Sequence, residues 1–299
     1  MVSKAAKAKR ARPLYLGGLL FDVAKWIALV LLCFSIIVPF MNIIAISFSG
    51  DAVKTSITMI VPKGFQFNAY RAMLTRRMVS SFFLTIFVTA ATVVLHLLIT
   101  LLAAYPLSRK YLRYRKALLL YSVITMLFSG GLIPYLLLIR GLGLRDNILV
   151  YIIPGLGSAY NLVLMKNFMN TIPASLEEAA RIDGANHVTI LFRIMFPLML
   201  PIVATLALFT GVGKWNDWFT AVLFITDPDK YLVQNLLRAM IVDGNIGIMS
   251  PDIVSRPENT LDVQIKMAAI VFTAIPVVAV YPFLQKYFVK GILIGGVKE

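Results

Sequence analysis

Few residues of this 299-residue sequence have the types and spacing that covalent or metal chemistry requires. The two histidines, His96 and His187, stand far apart, and the single cysteine, Cys33, lies inside an apolar run. The sequence contains no metal-ligand spacing, no phosphate-cradling glycine loop and no nucleophile elbow. We expect His96 to be hydrogen-bonded between buried helices and His187 to lie on a solvated or docking surface. The chain is therefore predicted to bind no cofactor or metal and to catalyse no reaction.

A short polar stretch, Pro173–Pro201, interrupts two apolar runs and has the pattern of a helical hairpin. Ser175 followed three residues later by Glu178 fits a capping box, which predicts the start of a helix. An Asp-Gly pair ending at Gly184 closes that helix, because glycine tolerates the left-handed conformation of a helix end. Asn186 can then cap a second helix that runs into the next apolar span. Such a hairpin either joins two membrane helices or docks against another protein.

The first helix of this hairpin carries an apolar face and two adjacent acids. Leu176, Ala179 and Ala180 recur at helical spacing on one side. The capping box assigns Glu178 to the helix start, which leaves Glu177 free to meet a basic residue on a partner protein.

The hairpin resembles the "EAA" coupling loop of ABC-importer permeases. The matching pattern is Glu178-Ala179-Ala180, Gly184 after three residues, and Ile194 and Pro197 after nine more. The family has Leu before that proline, and this chain has Phe196 there. The resemblance extends to the aromatic run Trp215–Phe219 and to the ending QKYFVKGILIGGVKE, which are similar to sugar-importer permeases of the maltose type.

The resemblance implies a type I ABC importer transmembrane-domain fold and a set of partners. The implied partners are a second homologous permease subunit, two ATPase subunits that hold ATP and Mg, and an extracytoplasmic sugar-binding protein. In the family the coupling loop docks into a cleft on the cytoplasmic ATPase. The residues of this chain assigned to that role are Glu177, Glu178, Ala179, Ala180, Asp183, Gly184, Ile194 and Pro197.

The composition is that of a membrane protein. Hydrophobic residues make up 59% of the chain, charged residues only 14%, and the mean hydropathy is +0.83, whereas soluble domains carry about 25% charged residues. Backbone hydrogen bonding favours helices of about 20 residues as spanning elements. We therefore predict an all-α integral membrane protein with six transmembrane helices, in the charge-free runs Trp26–Gly50, Met78–Ser108, Ala117–Ile139, Asn147–Met165, Ile194–Gly213 and Met267–Gln285.

The basic residues predict the orientation of these helices. With both termini in the cytoplasm, 17 of the 29 Lys and Arg residues lie inside and 9 of the 14 acidic residues lie outside. The net charge of +15 thus sits at membrane-flanking positions, so it indicates contact with lipid and requires no nucleic-acid partner. The predicted location is the cell (inner, cytoplasmic) membrane, as a multi-pass protein.

The domain organisation follows from the same runs. Residues 1–25 are predicted to be a basic cytoplasmic tail with a membrane-surface segment, and residues 26–299 a single six-helix permease domain. Its coupling hairpin spans 173–193 and its long outer loop 227–266. A cleavable signal peptide is the alternative for the first run, because Ala45-Ile46-Ser47 loosely fits a cleavage site. The run of 25 apolar residues exceeds the 7–15 of a signal peptide, which favours a retained helix.

Small residues and prolines mark possible irregularities in the spans. Ser129-Gly130-Gly131 and Pro134 either let neighbouring helices approach closely or break the third helix near a pathway, and we favour packing. Pro197 and Pro201 are expected to kink the fifth span.

Polar and aromatic residues in the spans are candidates for the transport pathway. Tyr160 and Asn161 should face protein or water rather than lipid. Trp215, Asn216, Asp217 and Trp218 form a cluster that is either an aromatic anchor at the interface or an outer gate beside a sugar path.

The outer loop carries apolar residues that need cover. They are Leu236, Met240, Ile246, Ile248 and Met249. Either this segment contacts the binding protein, for which the candidates are Asp243, Gly244, Ile246 and Met249, or its apolar residues pack back on the permease's own outer surface.

The sequence is thus interpreted as a permease subunit of an ATP-driven ABC importer for oligosaccharides that works by alternating access. The spans contain no Asp, Glu, Lys or Arg in their charge-free cores, whereas ion-driven carriers generally need such groups. The alternatives are an ABC permease for another small polar solute and an ion-driven carrier.

Overall fold

The computed structural model describes residues 16–50, 59–244, 246–248 and 260–296, and every regular element within those ranges is helical. Within those ranges, three helices are each long and apolar enough to cross a membrane. They are α1 (Leu16–Ser47), α3 (Arg76–Ser108) and α13 (Thr260–Gly296), with a short helix α2 (Asn68–Met73) before α3. The all-helical prediction is confirmed for the part of the chain that the structure covers.

Three further apolar stretches each consist of two helices that meet at a bend. The pairs are α4 (Arg115–Leu127) with α5 (Leu132–Gly141), bent by 113°, α6 (Leu149–Leu156) with α7 (Ala159–Met169), bent by 46°, and α9 (His187–Leu198) with α10 (Leu200–Trp215), bent by 80°. Counting each bent pair as one span gives six candidate spans, and three otherwise. The remaining helices are α8 (Ala174–Ile182), α11 (Phe219–Phe224) and α12 (Val233–Ile241).

The bend between α4 and α5 contradicts the favoured interpretation of the glycines in the third span. The chain becomes extended at Phe128, and Gly131 has a φ of +85°, a conformation that glycine adopts without strain. Residues 128–133 are exposed within this chain and do not pack closely against another helix. The small residues therefore break the helix. The bend predicted at Pro197 and Pro201 is confirmed, and it falls at Met199 between the two prolines.

Helix α3 forms the centre of the bundle and packs against α7 and α10. One side of α3 is buried and carries hydroxyl and imidazole groups, while the opposite side exposes large apolar residues such as Phe83, Phe87 and Val94. Polar side chains inside a membrane are favourable only where protein groups surround them. The buried polar residues of α3 are Ser81, Thr85, Thr92, His96 and Thr100. The face that carries them therefore points into the protein, and the opposite face points toward lipid or another subunit.

Buried apolar clusters hold the two ends of α3. Near its last turns, Leu101 and Ala104 pack with Met165, Ile190 and Met195 from α7 and α9. The cluster at the other end includes Met78, Trp215, Leu236, Met240 and Ile265. Leu236 and Met240 belong to α12, so the segment predicted as an outer loop contains an amphipathic helix that packs back on the chain, and α13 begins before the predicted sixth span.

Candidate functional site

The polar hairpin begins directly after Pro173, without a side-chain cap. Pro173 is the N-cap residue of α8 and no side chain caps that end, so the capping box predicted for Ser175 and Glu178 is wrong. Proline fixes φ near −65°, which suits a helix start, and the chain is already helical at Ala174. Ser175 therefore lies within the first turn rather than before it.

The turn of the hairpin has the geometry that the sequence predicts. Gly184 has a φ of +82°. Its N–H donates to the Arg181 carbonyl at 3.0 Å, and the Ala185 N–H donates to the Ala180 carbonyl at 2.9 Å, which is the hydrogen-bond pattern of a Schellman helix end. The Asn186 side chain accepts a hydrogen bond from the Thr189 N–H at 2.8 Å and so caps α9, as predicted.

Glu177 is not free for a partner protein. Its residue is only 6% exposed, and both carboxylate oxygens are occupied. Oε2 lies 2.6 Å from Nη1 of Arg109, and Oε1 lies 2.7 Å from Nη2 of Arg181. The Tyr105 hydroxyl also donates to Oε1 at 3.3 Å. The first turn of α8 therefore turns its acid inward, onto the end of α3.

Two tyrosines complete this contact between the hairpin and α3. The Tyr111 hydroxyl accepts a hydrogen bond from Arg181 at 2.8 Å, and this bond, together with Glu177, raises the pKa of the Arg181 guanidinium. The Tyr105 hydroxyl lies 3.2 Å from Nδ1 of His187 at the start of α9. We call this set of side chains the inner clamp: Tyr105, Arg109, Tyr111, Glu177, Arg181 and His187.

The hairpin also exposes three large apolar side chains. Leu176, Ile182 and Val188 are 43%, 87% and 65% exposed. The predicted apolar face is thus divided, since Ala180 is buried while Leu176 and Ala179 point outward. Of the other predicted coupling residues, four are exposed and one is half-buried; the exposed ones are Glu178, Asp183, Gly184 and Pro197, and the half-buried one is Ile194.

His96 connects α3 to the broken span formed by α6 and α7, as expected for a buried polar residue between helices. Its Nδ1 lies 3.1 Å from the Leu156 carbonyl, and its Nε2 lies 2.8 Å from Nδ2 of Asn161. A carbonyl can only accept, so Nδ1 carries the ring hydrogen and Nε2 accepts from the amide. Asn161 is 8% exposed, whereas its neighbour Tyr160 is 52% exposed. The two predicted pathway residues therefore have different surroundings.

The aromatic cluster after α10 does not form one site. Trp215 is buried and its ring N–H donates to the Thr273 carbonyl at 3.1 Å. Asp217 pairs with Lys214 at 2.8 Å, and Trp218 is partly exposed, with the Arg238 guanidinium 4.6 Å from its ring centroid. Asn216 is exposed at the surface. Trp215 is thus a core residue, while Asn216 and Trp218 remain candidates for contact with a solute or partner.

Comparison with known proteins identifies the family. Residues 97–294 match the family described as binding-protein-dependent transport system inner membrane component. The chain belongs to this family. The permease is 40% identical over 289 residues to the polygalacturonan/rhamnogalacturonan transport system permease protein YtcP of Bacillus subtilis (strain 168), covering 93% of this chain and 98% of the relative. It is 38% identical over 287 residues to Protein LplC of the same organism, covering 94% and 96%.

Solved structures agree with this assignment. A chain from the crystal structure of a bacterial ABC transporter involved in the import of the acidic polysaccharide alginate matches the permease with a TM-score of 0.84 and 32% identity, covering 93% of this chain and 100% of that one. A second chain, from a bacterial alginate ABC transporter in complex with alginate pentasaccharide-bound periplasmic protein, shares the fold with a TM-score of 0.55 and 13% identity. The predicted resemblance to sugar ABC-importer permeases is confirmed.

The end of the permease opposite the hairpin is held by ion pairs. Arg77, at the start of α3, donates to Asp229 at 3.2 Å and to the Ile248 carbonyl at 2.6 Å. Asp146 has a φ of +53° and accepts hydrogen bonds from the backbone N–H groups of Asp227 and Thr226, which lower the pKa of its carboxyl together with nearby Lys230. These contacts fix the turns at the end of the bundle opposite the hairpin.

Four residues were predicted to contact a binding protein at this end. Asp243 and Gly244 are exposed, and Asp243 lies 3.6 Å from Arg238. Ile246 begins a short 3₁₀ turn, and Met249 lies outside the described residues. Their predicted role stays a prediction.

Sequence reasoning missed a cavity of about 230 Å³ at this end of the bundle. Arg140 and Arg145 line it together with apolar residues of α5 and α11. Within the described part of the chain, neither arginine has an acidic partner, whereas Arg77 at the same end has one. The cavity therefore presents positive charge that no carboxylate of the surrounding described residues neutralises.

Proposed function

We propose that this permease is the transmembrane subunit of an ATP-driven oligosaccharide importer and that it works by alternating access. Its partners are a second permease, two ATPase subunits that bind ATP and Mg, and an extracytoplasmic sugar-binding protein. The chain itself binds no cofactor. In this proposal the six candidate spans all cross the membrane, and the hairpin and both termini lie in the cytoplasm. The observation that carries the proposal is the two-faced hairpin, clamped to the bundle on one side and exposed on the other.

The exposed face of the hairpin suits a protein partner. Leu176, Ile182 and Val188 are large apolar side chains on a segment outside the spans, where such residues ordinarily need cover. Closure of the ATPase pair would move the hairpin, and α9 continues from the hairpin into α10 through the 80° bend. A rigid-body movement of this kind can open and close a cavity between two permeases.

We propose acidic oligosaccharides as the substrate class. Relatives named for polygalacturonan/rhamnogalacturonan transport and for import of the acidic polysaccharide alginate support this choice. The cavity lined by Arg140 and Arg145 supplies a matching chemistry, because a guanidinium binds a carboxylate through two parallel charge-assisted hydrogen bonds.

The test is uptake by the reconstituted four-component transporter. We expect ATP-dependent uptake of an oligogalacturonide delivered by its binding protein, and little uptake of a neutral maltooligosaccharide of equal length. The double variant Arg140→Gln/Arg145→Gln should raise the KM for the acidic sugar, because it removes both guanidinium groups from the cavity. We expect a rise of roughly tenfold, which corresponds to about 1.4 kcal/mol of binding free energy. The control Arg76→Gln removes an exposed arginine from the same end and should leave the KM unchanged.

Two outcomes would contradict these proposals separately. Uptake of the neutral sugar at equal efficiency would exclude an acid-specific permease without touching the importer assignment. Uptake that follows an ion gradient in the absence of ATP would favour the ion-driven carrier. The sequence argues against a carrier, because each predicted span contains a run of at least 19 residues without Asp, Glu, Lys or Arg. Ion-driven carriers generally need such residues inside the membrane.

A further inference from the structure

The ion pair between Arg109 and Glu177 joins two elements that are far apart in the sequence. Arg109 directly follows the last residue of α3, and Glu177 lies in the first turn of α8. The two charged atoms are 2.6 Å apart, and the side chains are 13% and 8% exposed. A contact this short and this buried fixes the hairpin helix against the end of the central helix of the bundle.

Arg109 depends on Glu177 for its neutralising charge. Its guanidinium lies 4.7 Å from the centroid of the Tyr105 ring, and among the described residues its Nε and Nη2 atoms are buried without a hydrogen-bond partner. Removing one member of a buried ion pair leaves the other charge uncompensated, which is more harmful than replacing both.

The burial of Glu177 separates it from its neighbour. A residue that docks on another protein must be accessible, and Glu177 is covered on both oxygens. Glu178 is exposed, and within the described part of the chain it has no ion pair or side-chain hydrogen bond. The two adjacent glutamates therefore face different surroundings and should have different roles.

We propose that Glu177 and Arg109 are positioning residues that transmit movement of the hairpin to α3. This inference rests on the proposed function, in which an ATPase moves the hairpin. Arg181 and His187 reinforce the link through Tyr111 and Tyr105. With the link intact, the hairpin and the end of α3 move as one body. Without it, the hairpin can follow the ATPase while α3, which packs against α7 and α10, stays in place.

The test compares transport with ATP hydrolysis in the complete reconstituted transporter. The variants are Glu177→Gln, Arg109→Gln and the double variant. The matched control is Lys110→Gln, which removes an exposed charge next to Arg109. Each is assayed for co-purification of the ATPase subunits, for ATP hydrolysis and for sugar transported per ATP hydrolysed. We expect the single variants to assemble and hydrolyse ATP, but to transport at least tenfold less sugar per ATP. Because the two residues act as a pair, the double variant should be no worse than the worse single variant. Lys110→Gln should keep the wild-type ratio.

The alternative outcomes decide against the link in different ways. An unchanged transport ratio in both single variants shows that the pair carries no movement. Loss of assembly in proportion to transport assigns Glu177 to docking or to folding. If the single variants do not yield a folded complex, Glu177→Asp replaces them, because aspartate keeps the negative charge but is one methylene shorter. A wild-type ratio of sugar transported to ATP hydrolysed in Glu177→Asp overturns the proposal. Absence of ATP-driven uptake by the wild-type transporter would instead refute the proposed function. The thermal stabilities of the variants would then still show whether Arg109 and Glu177 interact, because interacting residues have non-additive effects on stability.

Discussion

At the residue scale, Gly184 shows how a single backbone conformation determines the shape of the hairpin. Its φ of +82° places the chain in the left-handed region, and an added Cβ would meet no atom within 4 Å. The cost of a side chain there is therefore conformational rather than steric, about 1 kcal/mol or more for a β-branched residue.

We expect Gly184→Val to insert into the membrane normally but to lose ATPase association and transport, because the strained turn would misalign α8 and α9. Gly184→Asn is the matched variant, since asparagine tolerates the left-handed region better than other residues with a side chain. It should retain more activity. The measurement is co-purification of the ATPase subunits, followed by uptake. Wild-type transport by Gly184→Val would show that the turn does not need this conformation.

The turn and the cap at Asn186 could be predicted because both depend on residues within three positions of each other. The inward orientation of Glu177 could not be predicted, because its partners Tyr105 and Arg109 lie at the end of α3, far away in the sequence, and leave no local pattern. The capping box failed for a local reason, since the N-cap residue is Pro173, two residues before the predicted cap at Ser175.

At the element scale, the side chain of His96 replaces a hydrogen bond that the break between α6 and α7 removes. The Leu156 carbonyl lies at the end of a 3₁₀ turn, where no continuing helix supplies an N–H donor. His96 Nδ1 supplies that donor, and Asn161 from the first turn of α7 occupies the other ring nitrogen.

We expect Asn161→Ala to lower the free energy of unfolding of the purified permease by about 1–3 kcal/mol. This is the usual cost of leaving a buried polar group, here the His96 ring, without its hydrogen-bond partner. Asn216→Ala is the control, because it truncates the same side chain at an exposed position and should change stability by about 0.5 kcal/mol or less. Thermal unfolding of both variants in the same detergent measures the difference. Equal stabilities would mean that the His96–Asn161 contact does not hold the two helices together.

The outer segment after α12 gives a second test at this scale. Leu236 and Met240 are buried in the permease, so the apolar residues that remain for a partner lie further along the segment. Replacing Asp243–Arg256, most of which lies outside the described residues, with a short Gly-Ser link should leave insertion, ATPase docking and unstimulated hydrolysis unchanged. It should abolish the stimulation that sugar-loaded binding protein gives. Stimulation that survives the deletion would assign the whole segment to packing.

The apolar runs predicted where helices lie, but not which of them are straight. Hydropathy measures length and polarity, and a run such as Ala117–Ile139 satisfies both whether or not it bends. The bend after Leu127 depends on the backbone freedom of Gly131, whereas the bend at Met199 was predictable because prolines flank it. The packing of α12 was open in the sequence because its apolar spacing suits either a partner or the chain itself.

At the scale of the whole molecule, the chain exposes far more apolar surface than a soluble protein could. Within the described part of the chain, α1 has no buried residue from Leu20 to Ile44, and one side of α3 is equally uncovered. Lipid and a second permease are the surfaces that would cover these helices, in agreement with the inner-membrane family.

The sole cysteine, Cys33, makes the predicted orientation directly testable, because Cys33→Ser gives a background without thiols. In intact cells, a membrane-impermeant maleimide should label Asp243→Cys at the outer end of the bundle. It should label Ser3→Cys in the tail and Lys110→Cys, in the loop after α3, only once the membrane is permeabilised. The expectation follows from the 17 basic residues that the predicted orientation places on the inner side. Lys110 lies beside Arg109, so its label also locates the hairpin that Arg109 holds. Labelling of Lys110→Cys in intact cells would place the hairpin outside the cell, where no ATPase could reach it, and would refute both the orientation and the coupling role.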